Sequence, residues 1–98
     1  MTEQDAAIKR PSTAEIRVML VDDSSIVRGL MVRALKDDPE INVVATASDG
    51  EMALLMIKQH VVDVIVLDIE MPNMDGITAL PKLLAASPHS KVIMASTL

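Results

Sequence analysis

The 98 residues contain no cysteine, tryptophan, tyrosine or phenylalanine, and only three glycines. Without cysteine there are no disulfides and no thiolate metal sites. Without aromatic rings the core must be aliphatic, and eight methionines supply part of its bulk as adaptable, unbranched filler. Basic residues are also scarce: nine Lys and Arg stand against fourteen Asp and Glu, for a net charge of −5. Nucleic-acid binding calls for clustered Lys and Arg, so the charge balance argues against that class of partner. No apolar run approaches the roughly 18 residues of a membrane span, and the start, Met1-Thr2-Glu3-Gln4-Asp5, lacks the basic and apolar regions of a signal peptide. A cytoplasmic protein without a membrane partner is the simplest expectation.

What is present is half apolar by count and organised in alternating segments. Residues 1–15 show no periodicity and read as a flexible leader; one domain over 16–98 is expected. Ile16-Arg17-Val18-Met19-Leu20-Val21 has strand composition. Ser24 or Ser25 can cap a helix in which 26/30/34 and 27/31/35 form one apolar stripe, stopped by Pro39. Ile41–Ala47 reads as a second strand whose small residues suggest close approach to a helix. A second helix should start at Ser48-Asp49-Gly50-Glu51 and run to Gln59 or His60, burying Met52, Ala53, Met56 and Ile57. Residues 62–67 form a third strand. Gly76 opens a third helix, in which Pro81 predicts a late start or a kink, and residues 91–96 form a fourth strand. The order β-α-β-α-β-α-β implies an α/β fold with a parallel sheet, doubly wound where strand order reverses.

Two strand ends carry the chemistry. The run Val64-Ile65-Val66-Leu67 stops at Asp68 and turns through Pro72, Asn73, Asp75 and Gly76. The first strand runs into Asp22-Asp23. If these strands are parallel neighbours, three carboxylates meet at the sheet edge where open α/β folds collect ligands. They repel one another and raise one another's pKa, a conflict that a divalent cation removes. Hard oxygen donors with room for water suit Mg²⁺. Asp22 and Asp23 could instead only cap a helix, but a third carboxylate at a second strand end favours the cation. Ser96 alone is uninformative, and His60 and His89 read as solvated groups near helix ends.

Leu20-Val21-Asp22-Asp23-Ser24, the stretch Leu67-Asp68-Ile69-Glu70-Met71-Pro72-Asn73-Met74-Asp75-Gly76, and Ser96 at the end of a fourth strand together resemble a response-regulator receiver domain of two-component signalling. Within that family they are most similar to the regulatory domain of chemotaxis protein-glutamate methylesterases. The resemblance implies a flavodoxin-like receiver fold with strand order 2-1-3-4-5, here stopping after the fourth strand. Asp68 would be the phosphoacceptor and a Mg²⁺ ligand. Asp23 would bind the ion directly, Asp22 directly or through water, and the Glu70 backbone carbonyl would complete the set. Ser96 would contact the phosphoryl group as the switch residue, and a sensor histidine kinase would be the phosphodonor. The chain itself would be regulatory, with any methylesterase activity belonging to a full-length protein.

The family's fifth strand, with its lysine, has no counterpart here. The uncovered fourth strand and adjoining sheet face therefore predict a homodimer or segment-exchanged oligomer. Two other readings compete. One is a phosphorylation-independent dimerisation or interaction module. The other is an aspartyl phosphatase of the haloacid-dehalogenase kind, whose second acid is an Asp two residues past the nucleophile; here Glu70 stands there.

Overall fold

Met19, Leu20 and Val21 are almost wholly shielded from solvent, as only a strand flanked on both edges and covered on both faces can be. The computed structural model describes residues 15–95, and this strand is β1 (Ile16–Val21). It is followed by α1 (Ser25–Lys36), β2 (Ile41–Ala47), α2 (Gly50–Ile57), β3 (Val64–Asp68), α3 (Gly76–Ala86) and β4 (Lys91–Ala95). Residues 1–14 of the expected leader lie outside the described residues.

All neighbouring strands are parallel, in the order β2-β1-β3-β4. The chain steps from β1 outward to β2, then crosses back to β3 on the other side. This reversal makes β1 the switch point, and right-handed crossovers put α1 on one face and α2 and α3 on the other. The doubly wound α/β fold expected from the alternation is the fold observed.

The main core lies on the α2/α3 face. Met19, Val21, Ala45, Ala47, Ile65 and Leu67 of the sheet meet Ala53, Ile57, Ala79 and Leu83 of the helices. Small residues on both sides, Ala45 and Ala47 against Ala53, let α2 approach closely. β2 fits an extra residue into its pairing with β1: Val18 pairs with Val43, but Met19 pairs with Ala45. The bulge lets Val44 reach the core alongside Ala45.

Several local expectations are corrected. No residue of α1 is fully buried. Val27, Met31 and Leu35 are half-buried, whereas Ile26 and Leu30 are 75% and 59% exposed. One helix on a sheet can bury a face only about 100° wide, and the stripe is wider than that. On α2 the buried positions are Gly50, Ala53 and Ile57, with Leu54 and the expected Met56 packed against the core; only Met52 of the expected set faces solvent. This helix stops at Ile57 because the next N–H groups tighten: Lys58 donates to the Leu55 carbonyl and Gln59 to the Met56 carbonyl.

β3 begins at Val64 rather than residue 62. Asp63 is held sideways, its N–H on the Arg17 carbonyl and its carboxylate taking the Arg17 N–H, both at 2.8 Å. Pro81 neither delays nor interrupts α3. It withholds a donor from the Ile77 carbonyl, but Ile77 lies on the solvent side, where water can serve that oxygen.

Candidate functional site: an acidic crevice at the sheet edge

Val21 and Leu67 are register partners on β1 and β3, so the residues after them, Asp22 and Asp68, stand side by side where the strands end. Asp22 stays in the sheet through its N–H to the Ala47 carbonyl (3.0 Å). Asp68 pairs in register with Ala95 on β4. Asp22, Asp23 and Asp68 each offer a carboxylate oxygen, and these lie within 4.8 Å of one another. Asp68 is 2% exposed and Asp22 4%, while Asp23 is open to solvent. The convergence expected from the two strand ends is therefore real.

Local contacts hold the first two acids. Asp22 Oδ1 accepts the Ser24 N–H at 2.9 Å. Ser24 in turn caps α1, its hydroxyl oxygen taking the Val27 N–H at 3.1 Å. One turn into the helix, the Arg28 guanidinium donates to the Asp22 carbonyl oxygen at 2.6 Å. The pair thus sits at the positive end of α1, which favours anionic groups. Arg28 is a contributor that a reading of motifs alone overlooks, because it reaches a backbone carbonyl before the helix.

Asp68 is less well served. Among the described residues, Oδ1 accepts a long 3.4 Å hydrogen bond from the Glu70 N–H, and Oδ2 is buried with no partner. Burial, more than any other cause, pushes its carboxyl above the usual carboxylate range. The Asp22 carboxylate adds to the rise, the Glu70 N–H opposes it, and Asp23 raises it further. A buried acceptor without a donor costs about 1–3 kcal/mol, more when charged. A cation among the three carboxylates would supply the missing partner. The donor set of hard oxygens on a partly open edge fits Mg²⁺.

The loop after Asp68 is folded back on itself. Gly76 donates its N–H to the Ile69 carbonyl at 2.9 Å. A Cβ there would lie 3.0 Å from the Asp68 carbonyl carbon and from Ile69 Cα, and closer still to the Asp68 carbonyl oxygen. Only glycine lets α3 start this close to Asp68. The Glu70 side chain is exposed, so Glu70 can serve the crevice through its backbone, and it does not supply the second acid of a haloacid-dehalogenase site. Ser96 lies outside the described residues. Among the described residues, neither His60 nor His89 joins a cluster of metal-ligating type.

Parallel order 2-1-3-4 with three acids at the carboxyl edge of β1 and β3 defines a receiver-type regulatory module. The family model described as "Response regulator receiver domain" matches residues 18–98, and the chain belongs to that family. It is 61% identical over 83 residues to a protein-glutamate methylesterase/protein-glutamine glutaminase of Azospirillum brasilense, and 60% identical over 83 residues to one of Rhodospirillum rubrum. Each match covers 85% of this chain but 21% of the relative, so the chain spans about a fifth of the length of these relatives. Among solved structures, the response regulator domain of Thermotoga maritima CheB matches with a TM-score of 0.77 and 42% identity, over 86% of this chain and 62% of that one. The Borrelia burgdorferi CheX-CheY-BeF3-Mg+2 complex matches with a TM-score of 0.79 and 36% identity, over 85% and 63%. The chain is thus a regulatory receiver domain of the chemotaxis methylesterase type.

Proposed function

We propose that Asp68 is the phosphoacceptor of a two-component chemotaxis pathway, acting with Mg²⁺ held by Asp22, Asp23, Asp68 and the Glu70 backbone carbonyl. The buried Asp68 Oδ2, unpartnered among the described residues and beside two further carboxylates, carries this reading. Mg²⁺ supplies the positive charge that lets an anionic donor approach an anionic nucleophile. An Asp68 carboxylate oxygen attacks phosphorus. The bond from phosphorus to the donor atom breaks with its electron pair, either to the phosphohistidine nitrogen of a sensor kinase or to the acetate oxygen of acetyl phosphate. The product is an acyl phosphate. Positioning and charge neutralisation supply most of the catalysis in such transfers, and the sheet edge supplies the positioning. Ser96, next in sequence after Ala95, is the phosphoryl-contacting switch residue in this scheme.

The names of the relatives support a protein-glutamate methylesterase as the output of a full-length protein, and such a role belongs in the cytoplasm. Among the described residues no helix is long and apolar enough to cross a membrane. In calorimetric titration, Mg²⁺ is expected to bind weakly, and Asp23→Ala to lose at least about tenfold in affinity, the value of one charge-assisted contact. Asp23 is exposed, so this substitution tests the ion rather than the fold. Equal binding by the variant would overturn the metal assignment.

A second reading, an interaction module, is favoured by one observation. Ile26 and Leu30 on α1 and Ile93 on β4 (56% exposed), an outer strand among the described residues, are large apolar groups open to solvent. A second copy that pairs with β4 and covers this face would bury them. Light scattering of the 98-residue chain over a dilution series should then show a mass that falls towards the monomer as concentration drops. A monomer at every concentration rules out self-association.

A further inference from the structure

The turn at Asn73 is strained and doubly tied. Asn73 is the single non-glycine residue at positive φ (67°) among the described residues. The Met74 N–H closes a three-residue turn onto the Pro72 carbonyl at 2.7 Å. A γ-turn with its central residue at positive φ is the rare, strained hand of that turn, and such strain persists only where neighbouring contacts over-determine it. Two contacts do so here, both from the start of α2. The Asn73 side-chain amide donates to Asp49 Oδ2 at 2.8 Å, and the Gly50 N–H donates to the Met74 carbonyl at 3.1 Å.

Asp49 serves two masters. Its other oxygen, Oδ1, caps α2 by accepting the Met52 N–H at 2.8 Å. These two bonds hold its carboxyl below the usual range, the Met52 N–H being the larger cause and Asn73 the next. Glycine is required at residue 50 because a Cβ would lie 2.9 Å from both the Met74 carbonyl oxygen and Met74 Cγ. The loop from Ile69 to Asp75 is therefore fastened at its base by Gly76 on Ile69 and at its far side by α2. Glu70, whose N–H touches Asp68 and whose carbonyl is a proposed ligand of the ion, lies between the two fastenings.

We infer that Asn73 and Asp49 are positioning residues for phosphoryl transfer: their hydrogen bond holds the strained turn and so fixes the Glu70 backbone against Asp68. This rests on the proposed function. The latch reaches the reaction through the loop alone, since neither side chain belongs to the acidic cluster. The bond is charge-assisted and links residues far apart in sequence, so its loss frees the loop without touching a ligand.

The test uses Asn73→Gly, which keeps the positive φ accessible and removes only the amide, and Asp49→Ser, which retains an N-cap but is too short to serve both partners. Mg²⁺ affinity by calorimetry, the rate of Asp68 labelling by acetyl phosphate at saturating Mg²⁺, and thermal melting are measured together. Each variant should lose about tenfold in labelling rate while still melting cooperatively well above the assay temperature. The double variant should be no worse than the poorer single one, as two halves of one contact require. A purely structural role would lower the melting temperature and leave the labelling rate of the folded protein unchanged, and that result overturns the inference while sparing the proposed function. A wild-type chain that takes neither Mg²⁺ nor phosphoryl overturns both.

Discussion

Gly76→Ala is expected to destabilise the domain by about 3 kcal/mol or more, at the upper end of overpacking costs. For a chain of this size the melting temperature should fall by roughly 12 °C or more. The added methyl would be driven into backbone, not into a side chain that could swing away: its neighbours are the Asp68 carbonyl group and Ile69 Cα. To make room, α3 must retreat from the sheet edge, and the Gly76 N–H to Ile69 carbonyl bond must lengthen. Labelling of Asp68 should fall with it, because the displaced backbone is that of the acceptor. Gly29→Ala is the matched control. A Cβ at Gly29 meets nothing within 4 Å, and the residue lies inside α1, so alanine should stabilise by about 0.5–1 kcal/mol. Thermal melts of the two variants should move in opposite directions; a Gly76 variant as stable as wild type would show that α3 does not press on Asp68.

Asp68→Asn should abolish labelling by acetyl phosphate and yet make the metal-free protein more stable. The sign follows from the titration. Asp68 holds its proton more tightly in the folded state than in the unfolded chain, because burial and the Asp22 carboxylate disfavour its ionised form. The folded state is therefore favoured at low pH. It loses that advantage as pH rises from the ordinary carboxylate value, about 3.9, through the raised folded value, above which the penalty is in force. Asparagine removes the charge and brings a donor to a cluster of acceptors. A gain of about 1–3 kcal/mol is expected in chelator at pH 7. Mg²⁺ should raise the melting temperature of the wild type, by neutralising the same repulsion, and leave the variant unmoved. A variant no more stable than wild type in chelator would show that Asp68 bears no such repulsion.

The acidic crevice was legible because its signal is local: two apolar, β-branched runs each stop at a carboxylate, and parallel neighbours that end together must bring those carboxylates together. Strand order was implied by the family resemblance, and the alternation of elements alone gave only a parallel sheet. The latch was not legible. Asp49 reads as a helix cap and Asn73 as one more turn residue, and neither reading contains the other, since a hydrogen bond across that span exists only once α2 and α3 pack. Gly76 likewise looks like an ordinary turn glycine until the Asp68 carbonyl is seen beneath it. Pro81 was misjudged because a rule about helix interiors ignores which side the freed carbonyl faces. The extent of burial on α1 was misjudged because periodicity gives the direction of an apolar face, not how much sheet lies under it.

β1 pairs with both β2 and β3, yet no two consecutive strands form a hairpin. Every pairing in the sheet must wait for an intervening helix to be made and laid down. β1 emerges first during synthesis but gains its second neighbour only after α1, β2 and α2 have followed. The edge that will receive β3 stays open through that interval, with Val18 to Val21 as an apolar, unpaired backbone row. The acidic crevice cannot exist before that edge is filled, so the docking of β3 onto β1 is the long-range step that creates the site.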